Sequence, residues 1–166
     1  MNYKLTLAYD GTAYHGWQRQ KNGITVQEVL ENALSEIFLE EIVVTGCSRT
    51  DAGVHAKIYV CNFKGKTTIP TDKIPIVINT HLPEDIRAYA CEEVSDEFNA
   101  RFHTVRKAYE YKILNREIAD PLQKNYMWHY PISLDYEEMC KAAEIIQGKH
   151  DFAPFCAAGS SAKTTV

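Results

Sequence analysis

The sequence predicts an α+β protein whose first part is a ferredoxin-like, RRM-like unit with elements in the order β-α-β-β-α-β. Three observations support this fold class. Short segments with alternating apolar and polar residues indicate strands, and a segment between the first two strands has apolar residues at helical spacing. The order of these segments is that of the split βαβ unit. The chain of 166 residues is long enough for such a unit and the start of a second one.

The predicted strands are short and are bounded by turn residues. In the first, YKLTLAY, the side chains of Tyr3, Leu5 and Leu7 share one face, and the run stops at the turn dipeptide Asp10-Gly11. Runs rich in β-branched and aromatic residues predict three more strands. Together the four strands cover residues 3–9, 42–45, 57–63 and 86–94.

Two helices are predicted between these strands. Thr25 and Glu28 have the spacing of a capping box, in which the two side chains satisfy exposed backbone N–H groups at a helix start. Apolar residues recur at helical spacing behind them, which predicts an amphipathic helix over residues 26–38. Thr71 is expected to cap a second helix that runs to about Asn79.

A different pattern begins after residue 100. We expect a long strand from Val105 to Leu114, a second strand over residues 126–130, and a helix capped by Ser133 with Gly148 at its left-handed C-cap. A strand pair and one helix are too few elements for a second layered domain. The predicted organisation is a ferredoxin-like domain over residues 1–103 and the truncated start of a second α/β domain over residues 104–166.

The composition is that of an ordinary globular chain. Hydrophobic residues make up 45% and charged residues 24%, which argues against disorder. No apolar run approaches the ~18 residues that a membrane span needs, and the N-terminus lacks the regions of a signal peptide. Five cysteines without a CxxC pair and six histidines without ligand spacing favour reduced thiols and no bound metal. We therefore expect a cytoplasmic protein without a metal and without a membrane contact.

Charge is distributed unevenly along the chain. The net charge is −4, yet residues 98–116 carry five basic residues against Glu110 alone, and residues 28–41 carry five glutamates with no lysine or arginine. A single charged working face or two independently solvated surfaces would each produce this pattern. Charge alone leaves both interpretations open.

Two loops carry residues with chemistry of their own. The run YDGTAYHGWQRQ places Tyr14 and Trp17 in a glycine-rich loop, where the rings would stack on bases or anchor a neighbouring loop. In the run GCSRTDAGVH, Asp51 would either stabilise a tight turn or act as a nucleophile. Arg49, two residues earlier, would keep that carboxylate ionised.

The third segment is the basic one. Tyr109 and Tyr111 lie two residues apart and would share one face of a strand, with Arg106 and Lys107 just upstream. The two tyrosines would either cover the core of a half-buried strand or form an aromatic floor for a base beside a cationic phosphate site. The spacing is compatible with both interpretations.

Taken together, YDGTAYHGWQRQ, GCSRTDAGVHA and ARFHTVRKAYEY, in this order, resemble the bacterial tRNA pseudouridine synthase A family. The resemblance extends from residue 3 to the end of the chain and includes the run DFAPF at residues 151–155. It implies an enzyme that isomerises uridine to pseudouridine in the anticodon arm of tRNA without a cofactor. It also implies the pseudouridine synthase fold, of which this chain holds only part, and a homodimer when the protein is full length.

The resemblance implies roles for individual residues. Asp51 matches the catalytic nucleophile of the family, Arg49 the arginine that helps to extrude the base and pairs with the aspartate, and Tyr109 the tyrosine that contacts the flipped base. Arg101 and Arg106 lie in the basic segment, which would bind substrate phosphates. Extrusion costs a few kcal/mol, and stacking on an aromatic ring returns ~1–3 kcal/mol.

Two departures from the family pattern matter. The run FNARF has Asn99 where the family often has histidine, and we expect little effect from it. The second half of the family carries a VRN-like arginine motif that pairs with the catalytic aspartate, and this chain lacks it. We therefore expect the 166-residue polypeptide to be catalytically impaired or inactive.

Two other functions fit parts of the sequence. A non-catalytic RNA-binding module would use Tyr59 and Phe63 on one face of a strand, although the glycine-aromatic motif of such modules is absent. The variant Asp51→Ala separates the two classes, because an enzyme would lose turnover and keep tRNA binding. A hydrolase would pair Asp51 with His55, but no third orienting group is evident.

Overall fold

The computed structural model describes residues 1–156 and residue 165. Contacts divide the chain into two compact units, the first covering Met1–Tyr109 and the second beginning at Glu110. Each unit has its own sheet. The predicted mixed α/β character is confirmed.

The first unit contains a four-stranded sheet and two helices. Its strands are β1 (Asn2–Tyr9), β2 (Val44–Gly46), β3 (Ala56–Lys64) and β4 (Ile86–Val94). The order in the sheet is β2-β3-β1-β4, and all three neighbouring pairs are antiparallel. Helix α1 (Val26–Phe38) lies between β1 and β2 in sequence, and α2 (Ile74–Ile78) lies between β3 and β4. The elements therefore follow the predicted chain order.

Residues next to helix α1 determine where it begins and ends. The Thr25 hydroxyl accepts a hydrogen bond from the Glu28 N–H at 3.3 Å, which confirms the predicted N-cap. Leu39 ends the helix in the left-handed conformation, with φ of 57°. The apolar stripe of α1 and one face of the sheet form the core. The core includes Tyr3, Leu5, Leu7, Leu30, Leu34, Cys61 and Phe63.

The second helix differs from its prediction. Thr71 begins a 3-10 turn, Thr71–Lys73, and its hydroxyl donates to the Glu93 carboxylate at 3.0 Å instead of capping a helix. The α-helical part is only Ile74–Ile78, with Pro75 in its first turn. Thr71 was the wrong cap because its side chain has an acceptor on β4, outside its own turn.

The second unit begins with two short parallel strands, β5 (Ile113–Asn115) and β6 (Trp128–Tyr130). Helix α3 (Tyr136–Ile146) follows, and Asp135 caps it by accepting from the Glu138 N–H at 3.0 Å, so the predicted cap Ser133 is wrong. Gly148 has the predicted positive φ, at 106°. The tail beyond residue 156, apart from residue 165, lies outside the described residues.

The long strand predicted over residues 105–114 is wrong for most of its length. Within this described segment, only Ile113 and Leu114 belong to a strand. Alternating residues satisfy only the side-chain requirement of a strand, whereas the backbone also needs a hydrogen-bonded neighbour. Tyr109 and Tyr111 are exposed and lie outside strands, so the prediction that they share a strand face is wrong as well.

Candidate active site

The loop between β2 and β3 carries the two residues predicted to be catalytic. We call residues 47–54 the reactive loop. Arg49 and Asp51 are both exposed in it, and the Val54 N–H donates to the Asp51 carbonyl at 3.2 Å, which forms the predicted tight turn. Among the residues that the structure describes, the Asp51 carboxylate has no hydrogen bond or ion pair. The carboxylate is therefore open to an incoming ligand.

Arg49 and Asp51 are close in sequence but not paired. In the described part of the chain, the nearby ion pairs join Arg19 to Glu28 and Glu31, and His55 to Asp10. The predicted contact between the Arg49 guanidinium and the Asp51 carboxylate is not formed in this structure. The Asp51 turn and the Arg49 side chain lie on one exposed loop, so both remain accessible to the same ligand.

The reactive loop is held from one side by the loop that follows β1. The Trp17 N–H donates to the Thr50 carbonyl at 3.0 Å, and the Gly53 N–H donates to the Tyr14 carbonyl at 3.2 Å. Gly16 has φ of 83°, and a Cβ atom there would collide with the Thr50 carbonyl oxygen. Only glycine meets both conditions, which explains why the loop around Trp17 contains one at this position.

Buried aromatic side chains support the reactive loop from beneath. Trp17 is 2% exposed and stacks on Tyr59, with ring centroids 4.1 Å apart. Tyr9 lies against Tyr59 at 5.5 Å, and its hydroxyl is 2.9 Å from the Thr50 hydroxyl. Of the two roles considered for Trp17, anchoring a neighbouring loop is therefore confirmed, because a ring so deeply buried cannot stack on a base.

The protonation of these tyrosines follows from their burial. Burial raises the pKa of Tyr9 to about 12 and raises the pKa of Tyr59 well above its usual value. Removing a proton from either hydroxyl would place a charge in a poorly solvated cluster. Both hydroxyls are consequently neutral near pH 7 and able to donate hydrogen bonds.

A groove of about 560 Å³ lies beside the reactive loop, entirely within the first unit. Three of the predicted site residues line it, namely Arg49, Arg101 and Tyr109. Arg106 and Asp51 are exposed but do not line it. The other lining residues are Trp17, Gln18, Gln27, Val44, Thr45, Gly46, Cys47, Ser48, Phe102 and Lys107. The groove therefore combines three cationic side chains with exposed aromatic rings, which suits a nucleic-acid ligand.

The backbone just before the cationic residue Arg101 is hydrogen-bonded to the sheet. The Asn62 amide, buried on β3, accepts from the Ala100 N–H at 2.8 Å and donates to the Asn2 side chain at 3.0 Å. The Thr104 hydroxyl donates to the Ala100 carbonyl at 2.6 Å. Arg101 follows directly and lies 5.7 Å from the centre of the Phe102 ring. These polar contacts fix the backbone from which Arg101 reaches the groove.

The buried Glu31 holds two residues that line the groove, Gln27 and Val44, and no sequence pattern distinguishes it. The Glu31 carboxylate accepts from the Val44 N–H at 3.0 Å, from the Gln27 amide at 2.8 Å and from the Arg19 guanidinium at 3.0 Å. The Gln27 oxygen in turn accepts from the Gln18 amide at 2.8 Å. In sequence, Glu31 is one of five glutamates in an acidic stretch, and nothing distinguishes it from those that face solvent.

The two other functions that the sequence allowed lose their support. Tyr59 and Phe63 are 3% and 1% exposed and face the core, so they form no platform for RNA. The His55 ring lies 2.9 Å from the Asp10 carboxylate, which directs it toward β1 and leaves no catalytic pair with Asp51. Within the described residues there is no group of three or more His, Cys, Asp or Glu side chains that could hold a metal ion, and no helix long and apolar enough to span a membrane.

Comparison with known proteins identifies the class. The sequence model of the family described as tRNA pseudouridine synthase matches residues 6–103, which include the reactive loop and Arg101. Two relatives, both named tRNA pseudouridine synthase A, are 48% identical in Thermoanaerobacter sp. (strain X514) and 49% identical in Clostridium acetobutylicum. A third, tRNA pseudouridine synthase A 2 of Clostridium perfringens, is 46% identical. Each alignment covers 99% of this chain and 68% of the relative.

These matches confirm the resemblance inferred from the three sequence runs. The chain belongs to the tRNA pseudouridine synthase family. The aligned part of each relative extends past residue 103, so Arg106 and Tyr109 also fall within the matched region of those relatives.

Proposed function

We propose that this protein isomerises uridine to pseudouridine in the anticodon arm of tRNA, with Asp51 as the catalytic carboxylate. The observation that carries the proposal is the exposed Asp51 on a tightly held loop, two residues from Arg49, which lines a cationic groove with Tyr109. Family membership supports the reaction class. The residue roles rest on the match of the reactive loop to the family's pattern and on this geometry.

The reaction needs only what these residues offer. The bond from N1 of the base to C1′ of the ribose breaks, the uracil turns, and C5 bonds to C1′ while the C5 proton is released and N1 is protonated. Substrate and product are isomers, so no oxidant, reductant or cofactor enters the balance. Asp51 can begin the reaction as a nucleophile toward the nucleotide or as a base toward a sugar proton. Both routes require an ionised carboxylate with open access.

Arg49 and Tyr109 would handle the extruded base. A uridine inside a stem must leave its stack, at a cost of a few kcal/mol. The Tyr109 ring is 77% exposed and lines the groove, so a flipped base stacked on it would regain ~1–3 kcal/mol. Arg49 would occupy the space that the base leaves or hold its phosphate. The free energy that the two side chains would contribute is comparable to the cost of extruding the base.

The basic segment would bind the tRNA backbone. Arg101 lines the groove, and Arg106 lies exposed a few residues further on, next to Lys107. Phosphate contacts supply sequence-independent affinity, which explains how a chain with a net charge of −4 can bind an anionic substrate. The local positive charge of this segment outweighs the total because screening limits the reach of distant carboxylates.

Four further features belong to the same proposal. We infer that the four-stranded sheet is the ferredoxin-like half of the pseudouridine synthase fold, over residues 1–103, and that residues 104–166 begin the second half. We also infer that the full-length protein is a homodimer in the cytoplasm. The antiparallel order β2-β3-β1-β4, with a helix after β1 and another after β3, supports the fold, and the tRNA substrate of the family supports the location. The homodimer rests on the family resemblance alone.

Loss of the C5 proton provides the assay. The native protein is given anticodon-arm tRNA labelled with tritium at C5 of uridine, and tritium release is measured for the wild type, Asp51→Asn and the control Asp72→Asn. Asp72 has a side chain that is 71% exposed, in the 3-10 turn before α2, and it is paired with Lys73. We expect Asp51→Asn to lose at least about 10³-fold in rate while tRNA binding stays within about threefold, and Asp72→Asn to match the wild type.

Other outcomes would contradict the proposal in distinct ways. An Asp51→Asn rate within about threefold of the wild type removes Asp51 from the reaction. A wild type that binds the arm but releases no tritium favours a non-catalytic RNA-binding module. The intact mass of the native protein, measured on the same sample, determines whether residues follow Val166. We expect the 166-residue polypeptide by itself to release tritium more slowly than a full-length relative.

A further inference from the structure

Tyr59 is a core residue whose hydroxyl also contacts the backbone of the reactive loop. It stands on β3 opposite Leu7 of β1, is 3% exposed, and belongs to the core. Its hydroxyl leaves the core and donates a hydrogen bond to the carbonyl of Ser48. Ser48 immediately precedes Arg49 and lies three residues before Asp51. A core side chain is thus bonded directly to the backbone that presents the proposed catalytic residues.

The Tyr59 hydroxyl is held in place from several sides. Trp17 stacks on the ring at 4.1 Å and Tyr9 packs against it at 5.5 Å. At Gly46, the last residue of β2, a Cβ atom would collide with the Tyr59 hydroxyl and with the Trp17 indole. The end of β2 therefore leaves room for this hydroxyl, and the ring has little freedom to move it elsewhere.

Tyr59 contacts the reactive loop before Arg49, whereas two other contacts hold the loop at Thr50, after it. Thr50 is held twice, by the Tyr9 hydroxyl at 2.9 Å and by the Trp17 N–H at 3.0 Å. Before Arg49, the backbone bonds are the Cys47 N–H to the Val60 carbonyl at 3.0 Å and the contact from Tyr59. The Tyr59 bond is the last one before Arg49, so it fixes the direction in which the chain enters the catalytic turn.

We propose that Tyr59 is a positioning residue for the reaction at Asp51, because its hydroxyl holds the Ser48 carbonyl and thereby sets the backbone of Arg49 and Asp51. The inference rests on the proposed function of Asp51. Tyr59 is too deeply buried to touch the substrate, and it acts through the reactive loop. Misplacement of a reacting group by about 1 Å costs on the order of 10²-fold in rate, so a single backbone anchor has a measurable effect.

Because Tyr59 is buried, its hydroxyl keeps its proton and its hydrogen bond to Ser48 over the pH range of an assay. The pKa of Tyr59 is raised by burial above its usual value, and the nearby Cys47 and Tyr9 raise it further. The hydroxyl therefore stays protonated and donates to Ser48 throughout. We expect the pH dependence of the rate to be the same in the wild type and in variants that lack this hydroxyl.

The test compares two buried tyrosines that differ in where their hydroxyls point. Tyr59→Phe keeps the stacked ring and removes only the bond to Ser48. Tyr3→Phe is the matched control, because Tyr3 is 1% exposed in the same core but donates to the Met1 sulfur at 3.1 Å, away from the reactive loop. In the native protein, we expect Tyr59→Phe to lower kcat about 10- to 100-fold with KM within about twofold, and Tyr3→Phe to change neither.

Amide hydrogen exchange gives a second measure that does not depend on turnover. We expect exchange of the amides in residues 48–53 to be at least about tenfold faster in Tyr59→Phe, with no change there in Tyr3→Phe. Tyr9→Phe is a further variant with a smaller expected effect, because the Trp17 N–H still holds Thr50. If Tyr59→Phe does not fold, Gly46→Ala tests the same bond, because the added Cβ atom would displace the Tyr59 hydroxyl; a lower kcat and faster exchange over residues 48–53 in it support the anchor, and wild-type values of both overturn it.

The failure of this inference is distinguishable from the failure of the proposed function. Equal kcat values in Tyr59→Phe and Tyr3→Phe, with unchanged exchange over residues 48–53, overturn the role of Tyr59 even when Asp51→Asn abolishes turnover. Full turnover in Asp51→Asn overturns the proposed function instead. In that case the exchange measurement still determines whether Tyr59 anchors the reactive loop.

Discussion

Replacing Glu31 with alanine tests how the wall of the groove is held. The carboxylate is 5% exposed and accepts three hydrogen bonds, one of them from the N–H of Val44, a residue that is itself buried. Leaving a buried N–H without a partner costs ~1–3 kcal/mol. Gln27 keeps its bond to the Val44 carbonyl at 3.0 Å, and Arg19 is half exposed, so both lose little. We expect Glu31→Ala to lower the free energy of unfolding by about 2–3 kcal/mol.

Urea unfolding followed by circular dichroism at pH 7 measures this loss. Arg19→Ala removes the other half of the ion pair, and we expect it to cost only about 0–1 kcal/mol because the guanidinium is solvated. Glu36→Ala, which removes an exposed carboxylate from the same helix, should change stability by less than about 0.5 kcal/mol. Equal losses for Glu31→Ala and Arg19→Ala would refute the reasoning, since the ion pair and not the buried N–H would then carry the energy.

Two further predictions concern pH and salt. Burial raises the pKa of Cys91 to about 12 and that of Tyr9 to about 12, so the unfolded chain releases these protons first as the pH rises. The free energy of unfolding should therefore fall between about pH 9 and pH 12, at up to about 1.4 kcal/mol per pH unit for each group, and Cys91→Ala should make that fall shallower in urea titrations. An onset near about pH 9 should persist in this variant, because burial also raises the pKa of the Cys61 thiol well above its usual value. Replacing Arg101 and Arg106 with alanine should reduce the slope of log K for tRNA binding against log salt by about 0.7–0.9 per lost phosphate contact. Lys73→Ala changes the charge beside α2 and should leave that slope unchanged, and an effect as large as that of the double variant would place the phosphates elsewhere.

Local signals in the sequence predict part of this molecule well. Helix α1 begins at Val26 and ends at Phe38 as predicted, because Thr25 supplies the cap and the apolar stripe has a single helical phase. The turn at Asp51 between β2 and β3 is also as predicted, because the turn residues Asp51, Ala52 and Gly53 follow one another. Both predictions rest on interactions within a few residues of each other, which a sequence pattern records directly.

Predictions failed where the decisive partner is distant in sequence. Residues 105–112 alternate like a strand, but a strand also needs a neighbouring backbone, which the pattern does not reveal. Glu31 resembles the other glutamates of its stretch until Val44 is folded against it, thirteen residues away. The Tyr59 hydroxyl likewise finds its acceptor at Ser48, eleven residues earlier on the loop before β3. These residues differ from their neighbours in burial and in tertiary contacts, and the spacing of residues in the sequence predicts neither.

The two loop runs that carry the family resemblance do different work in the fold. In the proposed function the second run supplies the chemistry, with Asp51 exposed at its turn. The first run supports the reactive loop. The backbone N–H of Trp17 donates to it, the Tyr14 carbonyl accepts from it, and Gly16 lets the backbones of the two loops come close together. A substitution in the first run would therefore affect the reaction without any contact with the substrate. Residues in such a pattern can be shared among relatives for the shape of a loop, and only those left exposed beside the groove are candidates for catalysis.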